Sequence, residues 1–374
     1  MERWQTLVIE EIEVNGQTLR VLVNSEPEQG DRTALWPSIG EYPIYDPFLY
    51  TTMTTDEERN KRFRAALAQL APGKRVLDLG TGQDVLWARE SVQAGARQVL
   101  AVEVIADSFH KAAANLHAYG LQDRVTLLCG ESTKVEFAPR VDVCVAEIIG
   151  SLASAEGAAV VLDDAKRRHL VPEGVIVPHR AVTQAAAVCL SDLFAEQPVA
   201  FSASSVKYLQ SIFNWNGAPF DVRLRVENAP PDALLSESAA IEELDFNGKL
   251  RTRQQTTTRL EIKRPGRIDG VLTWLQLWCL PDEEPLDVLR MTSNWASIYF
   301  PLFQTPLSVT TGDVLELTFA MAIGDDGVHP DYQLSATLHT ADGRECCGSF
   351  NSPHHGGSFR AHPIYRLLFP TGQR

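Results

Sequence analysis

The chain has 374 residues, 44% of them hydrophobic and 22% charged, with a formal net charge of −14 at pH 7. That length and apolar content suffice for a large core and point to two domains. No run approaches the ~18 consecutive apolar residues of a membrane span, and the acidic balance argues against a nucleic-acid partner while favouring cationic substrates. The start, MERWQTLVIEEIEV, carries charges where a signal peptide is apolar, which predicts a cytoplasmic protein. Six cysteines, at 129, 144, 189, 279, 346 and 347, show neither metal-ligand spacing nor a disulfide framework, and the adjacent Cys346 and Cys347 read as strand residues. His354 and His355 stand in a Gly/Ser/Pro loop with no acid or cysteine at ligand spacing, so no metal is expected.

In chain order, residues 7–23 are two β-rich runs around Asn15-Gly16, a hairpin signal. A loop with Pro37, Pro43 and Pro47 follows. Residues 56–70, DEERNKRFRAALAQL, read as a helix whose acid-rich first turn suits the helix dipole. Residues 75–103, RVLDLGTGQDVLWARESVQAGARQVLAVE, read as a strand at 76–79, a glycine turn, a helix over 88–94 and a second strand at 99–102 that ends in an acid. A helix over 107–119, a strand at 125–128 and a strand at 141–146 ending at Glu147 continue the alternation, which means a parallel sheet. Beyond Pro178 the runs 222–226, 260–262, 271–280, 314–321 and 334–339 read as strands between Gly, Pro and Asp turns with hardly any helix, a β-barrel or sandwich. Between them residues 190–220 hold Phe194, Phe201, Tyr208, Phe213, Trp215 and Phe220, too apolar for a solvated loop. No internal repeat is evident. The chain thus divides into an N-terminal hairpin and loop (1–50), a nucleotide-binding α/β domain (51–178) and a β domain (179–374).

The glycine turn selects the ligand. Gly80 and Gly82 let the backbone turn sharply and come close to a ligand, and Glu103 at the tip of the second strand is placed to accept from two ribose hydroxyls. A dinucleotide fingerprint needs a third glycine that seats a pyrophosphate on the helix N-terminus. Here the run is D-L-G-T-G-Q-D at 78–84. An acid just before the first glycine repels a pyrophosphate and suits a cationic ammonium or sulfonium, and S-adenosylmethionine has both.

The order of parts, with the loop A-E-I-I-G-S-L-A-S-A-E at 146–156, resembles the protein arginine methyltransferases. In that family the loop after the fourth strand carries two glutamates nine positions apart, and Glu147 and Glu156 keep that spacing. Met53, then Arg59 and Phe63, look like the family's Met…Arg…Tyr helix, whose arginine grips the cofactor's carboxylate. The run V-P-E-G-V-I-V-P-H-R-A at 171–181 looks like the family's junction with its barrel, where the second proline, here Pro178, is typically cis. Residues 190–220 occupy the place of the dimerisation arm, and M-T-S-N-W at 291–295 resembles the Thr-His-Trp loop. Departures are equally plain. Asp84 replaces the third glycine, Asn294 the loop histidine, Tyr50 the histidine before the cofactor methionine, Thr133 the acid after the adenine contact, and small residues at 151–155 an aromatic-rich stretch.

The resemblance implies a class I S-adenosylmethionine-dependent methyltransferase: a Rossmann-like domain followed by a β-barrel with a dimerisation arm, working as a homodimer. It implies catalytic roles for Glu147, Glu156 and Asn294, and cofactor contacts from Tyr50, Met53, Arg59, Asp78, Gly80, Gly82, Asp84, Glu103, Ser132 and Glu147. Two carboxylates around a guanidinium orient it by charge-assisted hydrogen bonds and offset the product's charge. The expected substrate is a guanidino or other nitrogen nucleophile of a small molecule or peptide. Two alternatives stay open: methylation of an electron-rich ring carbon such as an indole's, with one acid as base, and a non-catalytic interaction protein that kept the fold. At single residues, Glu147 and Glu156 as solvated acids, Arg59 as a surface residue, Asp84 as a helix N-cap and Asn294-Trp295 as barrel packing are the plainer readings. Trp215, Trp274 and Trp278 read as core or interface anchors.

Overall fold

The computed structural model describes residues 6–26, 30, 32–40, 47–194 and 197–372. The chain begins with strands β1 (Leu7–Val14), β2 (Gln17–Asn24) and β3 (Ala34–Ser38) and helices α1 (Pro47–Thr54) and α2 (Glu57–Leu70). An alternating stretch follows: β4 (Arg75–Leu79), α3 (Leu86–Gln93), β5 (Gln98–Glu103), α4 (Ala106–Ala118), β6 (Val125–Cys129), β7 (Val141–Ala146), α5 (Ala158–His169) and β8 (Leu170–Val177). Next come β9 (Arg180–Val188), α6 (Leu190–Leu193), β10 (Phe201–Ser202), α7 (Val206–Asn216), β11 (Arg223–Glu227), β12 (Ala239–Asp245), β13 (Arg253–Glu261) and β14 (Gly266–Ile268). The last elements are β15 (Gly270–Trp278), β16 (Leu286–Asp287), β17 (Ser297–Pro301), β18 (Leu307–Val309), β19 (Val314–Ile323), β20 (Pro330–His339), β21 (Glu345–Ser352) and α8 (Pro363–Leu368).

Strands β6-β5-β4-β7-β8 form one parallel sheet in that order. Every residue of β4 is buried, because helices pack on both faces of a sheet wound this way. Strand order reverses between β4 and β7, so the connections leaving their carboxyl ends diverge and open a crevice. The site below lies there.

The second half is a β-barrel built from a large sheet, β1-β2-β10-β3-β11-β17-β15-β9-β12, and a four-stranded sheet, β13-β19-β20-β21. Strands β19 and β20 alternate buried and more open residues, as a period of two demands when one face meets a core. The peptide bond before Pro178, at the junction of the two halves, is cis, as the resemblance implies. No helix among the described residues is long and apolar enough to cross a membrane.

Two sequence expectations are corrected. The hairpin assigned to a separate N-terminal segment is an edge of the large barrel sheet, where β2 pairs in parallel with β10, Val23 opposite Phe201. In the expected proline loop, Pro37 sits inside β3 opposite Leu224, Pro47 opens α1, and Pro43 lies outside the described residues. Residues 190–220, the segment of the expected arm, contain α6, β10 and α7, and Phe194, Phe201, Tyr208, Phe213 and Phe220 are buried within the chain itself. Helix α7 packs on β1, the Asn15 amide donates to Asn214 Oδ1 (3.2 Å), and the Gln210 side chain donates to the Glu13 carbonyl (3.0 Å). Of that aromatic set only Trp215 is exposed, at 47%.

Candidate active site

The loop after β4 is shaped by its own residues. Gly80 (φ +71°) and Gly82 (φ +66°) take left-handed conformations open to glycine at no steric cost. The amides of Gly80 and Thr81 both donate to the Val102 carbonyl (3.0 Å each), which folds the loop against the end of β5. Asp78 is fully buried and accepts from the Thr81 hydroxyl (2.6 Å). It therefore braces the loop from beneath. Glu103 accepts from the Gly82 amide (2.9 Å) on one oxygen and from the Ile105 amide (2.8 Å) on the other. Each oxygen keeps a second lone pair, so the acid that braces the loop can still accept from ribose hydroxyls.

From α1, Tyr50 shares a hydrogen bond with Ser108 on α4 (2.8 Å), and a Cβ added at Gly82 would stand 3.9 Å from its ring. Burial raises its phenol above the ordinary range. Asp84 is half-buried and does not cap the following helix: the N-cap of α3 is Val85, itself left-handed (φ 46°) with no side-chain cap. A buried β-branched residue there stores roughly 1–2 kcal/mol of strain beside the glycine loop. Ser132 follows β6, its carbonyl accepting from Arg168 Nη2 (2.7 Å). Val104 and Ile105 are exposed at 58% and 40% directly after Glu103.

Burial pushes the Asp78 carboxyl up to about 7, against the pull of the Thr81 hydroxyl. The folded protein thus holds this proton more tightly than the unfolded chain, whose aspartate titrates near ~3.9, so stability from this group is greatest below about pH 4 and is lost as pH rises toward 7. Asp78→Asn cannot ionise. Relative to the parent, its unfolding free energy should rise by ~4 kcal/mol between about pH 4 and about pH 7. Urea unfolding at the two pH values measures this, and a constant difference would contradict it.

On the opposite side of the crevice, Glu147 leaves the end of β7. Arg59, only 2% exposed, donates from Nη1 to Glu147 Oε2 (2.7 Å), from Nη2 to the Met53 carbonyl, and to Asn60 Oδ1. Its guanidinium stands 5.8 Å from the Trp87 ring centre. Arg59, expected at the cofactor, and Glu147, expected at both cofactor and substrate, touch each other, a contact that neither assignment foresaw. Arg59 is no surface residue and Glu147 no solvated acid. Burial raises the Glu147 carboxyl, Arg59 pulling it down and Asp56 pushing it up.

Asp56 caps α2, accepting from the Arg59 amide (2.9 Å), and its second oxygen accepts from the Ser293 hydroxyl (2.9 Å) and the Asn294 amide (2.6 Å). Trp295 is buried and donates from its indole to the Ile149 carbonyl (2.5 Å), while the Ala296 amide donates to the Ser151 hydroxyl (3.4 Å). The 291–295 segment therefore clamps the loop of Glu147 and Glu156 onto α2. Asn294 takes part through its backbone, whose carbonyl also accepts from Arg225 (2.9 Å). Glu156 is half-buried further along the same loop, with its Cγ 3.5 Å from where a Cβ on Gly150 would stand. The small residues between the two acids have a reason: Ala153, Ser154 and Ala155 are buried, a Cβ at Gly40 would come 2.7 Å from the Ala155 carbonyl oxygen, and one at Gly157 would come 2.5 Å from Val328.

Away from this crevice, potential ligand atoms of Asp326, His329 and His354 lie within 4.8 Å of one another. They are already engaged: His329 Nδ1 with Asp326 (2.6 Å) and His354 Nδ1 with the Ile39 carbonyl (3.1 Å). His355 lies against both Trp215 and His354, 4.0 and 4.2 Å between ring centres. Trp274 is buried as a core anchor, and Trp278 carries the Arg180 guanidinium 3.9 Å above its ring.

No family model matches the chain. Individual relatives do. It is 29% identical over 273 residues to protein arginine N-methyltransferase 7 of Drosophila grimshawi, an alignment covering 65% of this chain and 37% of that one. It is 26% identical over 279 residues to an arginine N(omega)-methyltransferase of Streptomyces achromogenes subsp. streptozoticus, covering 72% of this chain and 75% of the relative. The chain is arginine-methyltransferase-like. It spans little more than a third of the fly relative's length. Among solved structures, Arabidopsis thaliana protein arginine methyltransferase 10 matches the arginine-methyltransferase-like chain with a TM-score of 0.66 at 19% identity, covering 82% of this chain and 98% of that one. The Trypanosoma brucei PRMT1 enzyme–prozyme heterotetramer, solved with AdoHcy, matches with a TM-score of 0.62 at 18% identity, over 81% and 98%. These neighbours carry the Rossmann-like methyltransferase sheet and barrel described above.

Proposed function

We propose that the chain is an S-adenosylmethionine-dependent methyltransferase acting on a guanidino or other nitrogen nucleophile of a small molecule or peptide. The observation that carries this reading is the position of Glu147. It stands across the β4/β7 reversal from Gly80 and Gly82, charge-paired with buried Arg59 and on one loop with Glu156. The residues around the glycine loop fit the cofactor: Glu103 has lone pairs for the ribose, Tyr50 covers the turn, Asp78 braces it from beneath, and Arg59 has five donors, enough to hold Glu147 and a methionine carboxylate together. When bound, the cofactor supplies a methyl on a sulfonium, displaced in line by the nucleophile. The chain's part is to hold the nucleophile in line about 3 Å from that methyl and to offset its positive charge with Glu147 and Glu156. The Streptomyces relative, whose name specifies an arginine Nω acceptor, supports this substrate class. The working unit is proposed to be a homodimer in the cytoplasm.

The test is transfer of labelled methyl from S-adenosylmethionine to free arginine, arginine peptides and indole, with calorimetry for the cofactor and light scattering on the same sample. Label on a guanidino nitrogen, binding of S-adenosylmethionine and S-adenosylhomocysteine without NAD, and a mass twice 41.4 kDa are expected. Label on an indole carbon would replace the nitrogen nucleophile by a ring. No transfer to these acceptors or to a cell extract would leave a binding protein.

A further inference from the structure

We infer that Glu242, inside the barrel, is a positioning residue for the loop that carries Glu156. This rests on the methyltransferase reading of that loop and adds a residue about which its motif is silent. Glu242 lies on β12, is 2% exposed, and stands opposite Thr183 of β9 just past a register shift between Ala240 and Glu242. That irregularity turns Ile241 and Glu242 inward in succession, both buried, where a regular strand would alternate.

The carboxyl meets two donors aimed one at each oxygen. The Ser154 hydroxyl donates to Oε1 (2.5 Å) and the Thr183 hydroxyl to Oε2 (2.8 Å). Both donors belong to the active-site loop or hold it. Ser154 is two residues before Glu156, and the Thr183 oxygen accepts the amide of Ala153 (3.0 Å). With its own proton committed to Glu242, the Ser154 oxygen accepts from the hydroxyl of Tyr332 on β20 (2.8 Å), whose ring lies 4.6 Å under the Arg223 guanidinium. Arg223 is in turn fixed to the Ile39 carbonyl (2.8 Å) and the Ser352 hydroxyl (2.9 Å). A buried carboxyl without such donors is costly, so its hydrogen bonds are satisfied only when Ala153 and Ser154 are seated against β9 and β12. The loop is latched to the barrel two residues from its second acid. Burial also raises the Glu242 carboxyl, in keeping with its enclosure.

Ser154→Ala removes one latch donor without adding bulk, and Glu242→Gln keeps the shape of the acid while removing its charge. Each should lower kcat for methyl transfer at least ~10-fold and leave the dissociation constant for S-adenosylmethionine within ~2-fold. In a Glu156→Gln background neither should lower kcat further by more than ~2-fold, because both act through that acid. Hydrogen exchange at the Ala153 amide gives a readout independent of turnover and should speed up ~10-fold or more in both variants. Unchanged exchange overturns the latch whether or not the protein transfers methyl groups. Losses that multiply with Glu156→Gln overturn the route through that acid. A parent that transfers nothing while its variants show faster exchange would reject the proposed function and keep the latch.

Discussion

Glu147→Gln is expected to lower turnover by about 100-fold or more, because it removes the charge that orients and offsets a cationic nucleophile while keeping the side chain's shape. The structure adds a second expectation. Glu147 is the charge partner of Arg59, which is 2% exposed, so the variant leaves a buried guanidinium without its counter-charge. Breaking such a pair from one side costs about 3 kcal/mol, and unfolding in urea should show a loss of that order. Cofactor affinity should hold or rise, since Arg59 then has one acid fewer competing with the methionine carboxylate. Comparison with Glu156→Gln separates the chemistries. A clamp on a cation suffers from either change, whereas a single base on a neutral ring leaves one variant nearly inactive and the other close to the parent. Full activity in both would remove the two acids from the mechanism.

Glu103→Ala is expected to weaken S-adenosylmethionine binding by about 2–4 kcal/mol, the sum of two ribose hydrogen bonds to a charged acceptor less partial compensation by water. Part of the loss is indirect, because the same carboxylate holds the amides of Gly82 and Ile105 and its removal frees the glycine turn. A cofactor lacking both the 2′- and 3′-hydroxyls of the ribose separates the parts. If the direct contact dominates, the deoxy compound binds parent and variant with nearly equal affinity; if loop bracing dominates, the variant loses as much on both ligands. Calorimetry that finds parent and Glu103→Ala equal for S-adenosylmethionine would remove Glu103 from the cofactor site.

What the sequence determined by itself lies within short spans. Asn15-Gly16 turns a hairpin with both residues at positive φ, Asp56 caps α2 through the amide three residues on, and Gly80 and Gly82 mark the turn of a βαβ unit. In each case the governing forces, backbone sterics, local hydrogen bonds and the spacing of apolar residues, act among near neighbours. The pairing of glutamates at 147 and 156 was legible for the same reason, as a spacing on one loop. The contacts that make these residues a site are between distant parts of the chain. Arg59 meets Glu147 across 88 positions, Ser154 meets Tyr332 across 178, and Asp56 meets Asn294 across 238. No local periodicity encodes them, because which carboxylate faces which guanidinium follows from how α2 and the barrel loop pack on the ends of the parallel strands. The aromatic residues of 190–220 state the limit most directly. Their apolar area says that they must be buried, but the hydrophobic effect has no direction, and only the tertiary structure decided that their cover is α7, the N-terminal hairpin and the barrel of the same chain.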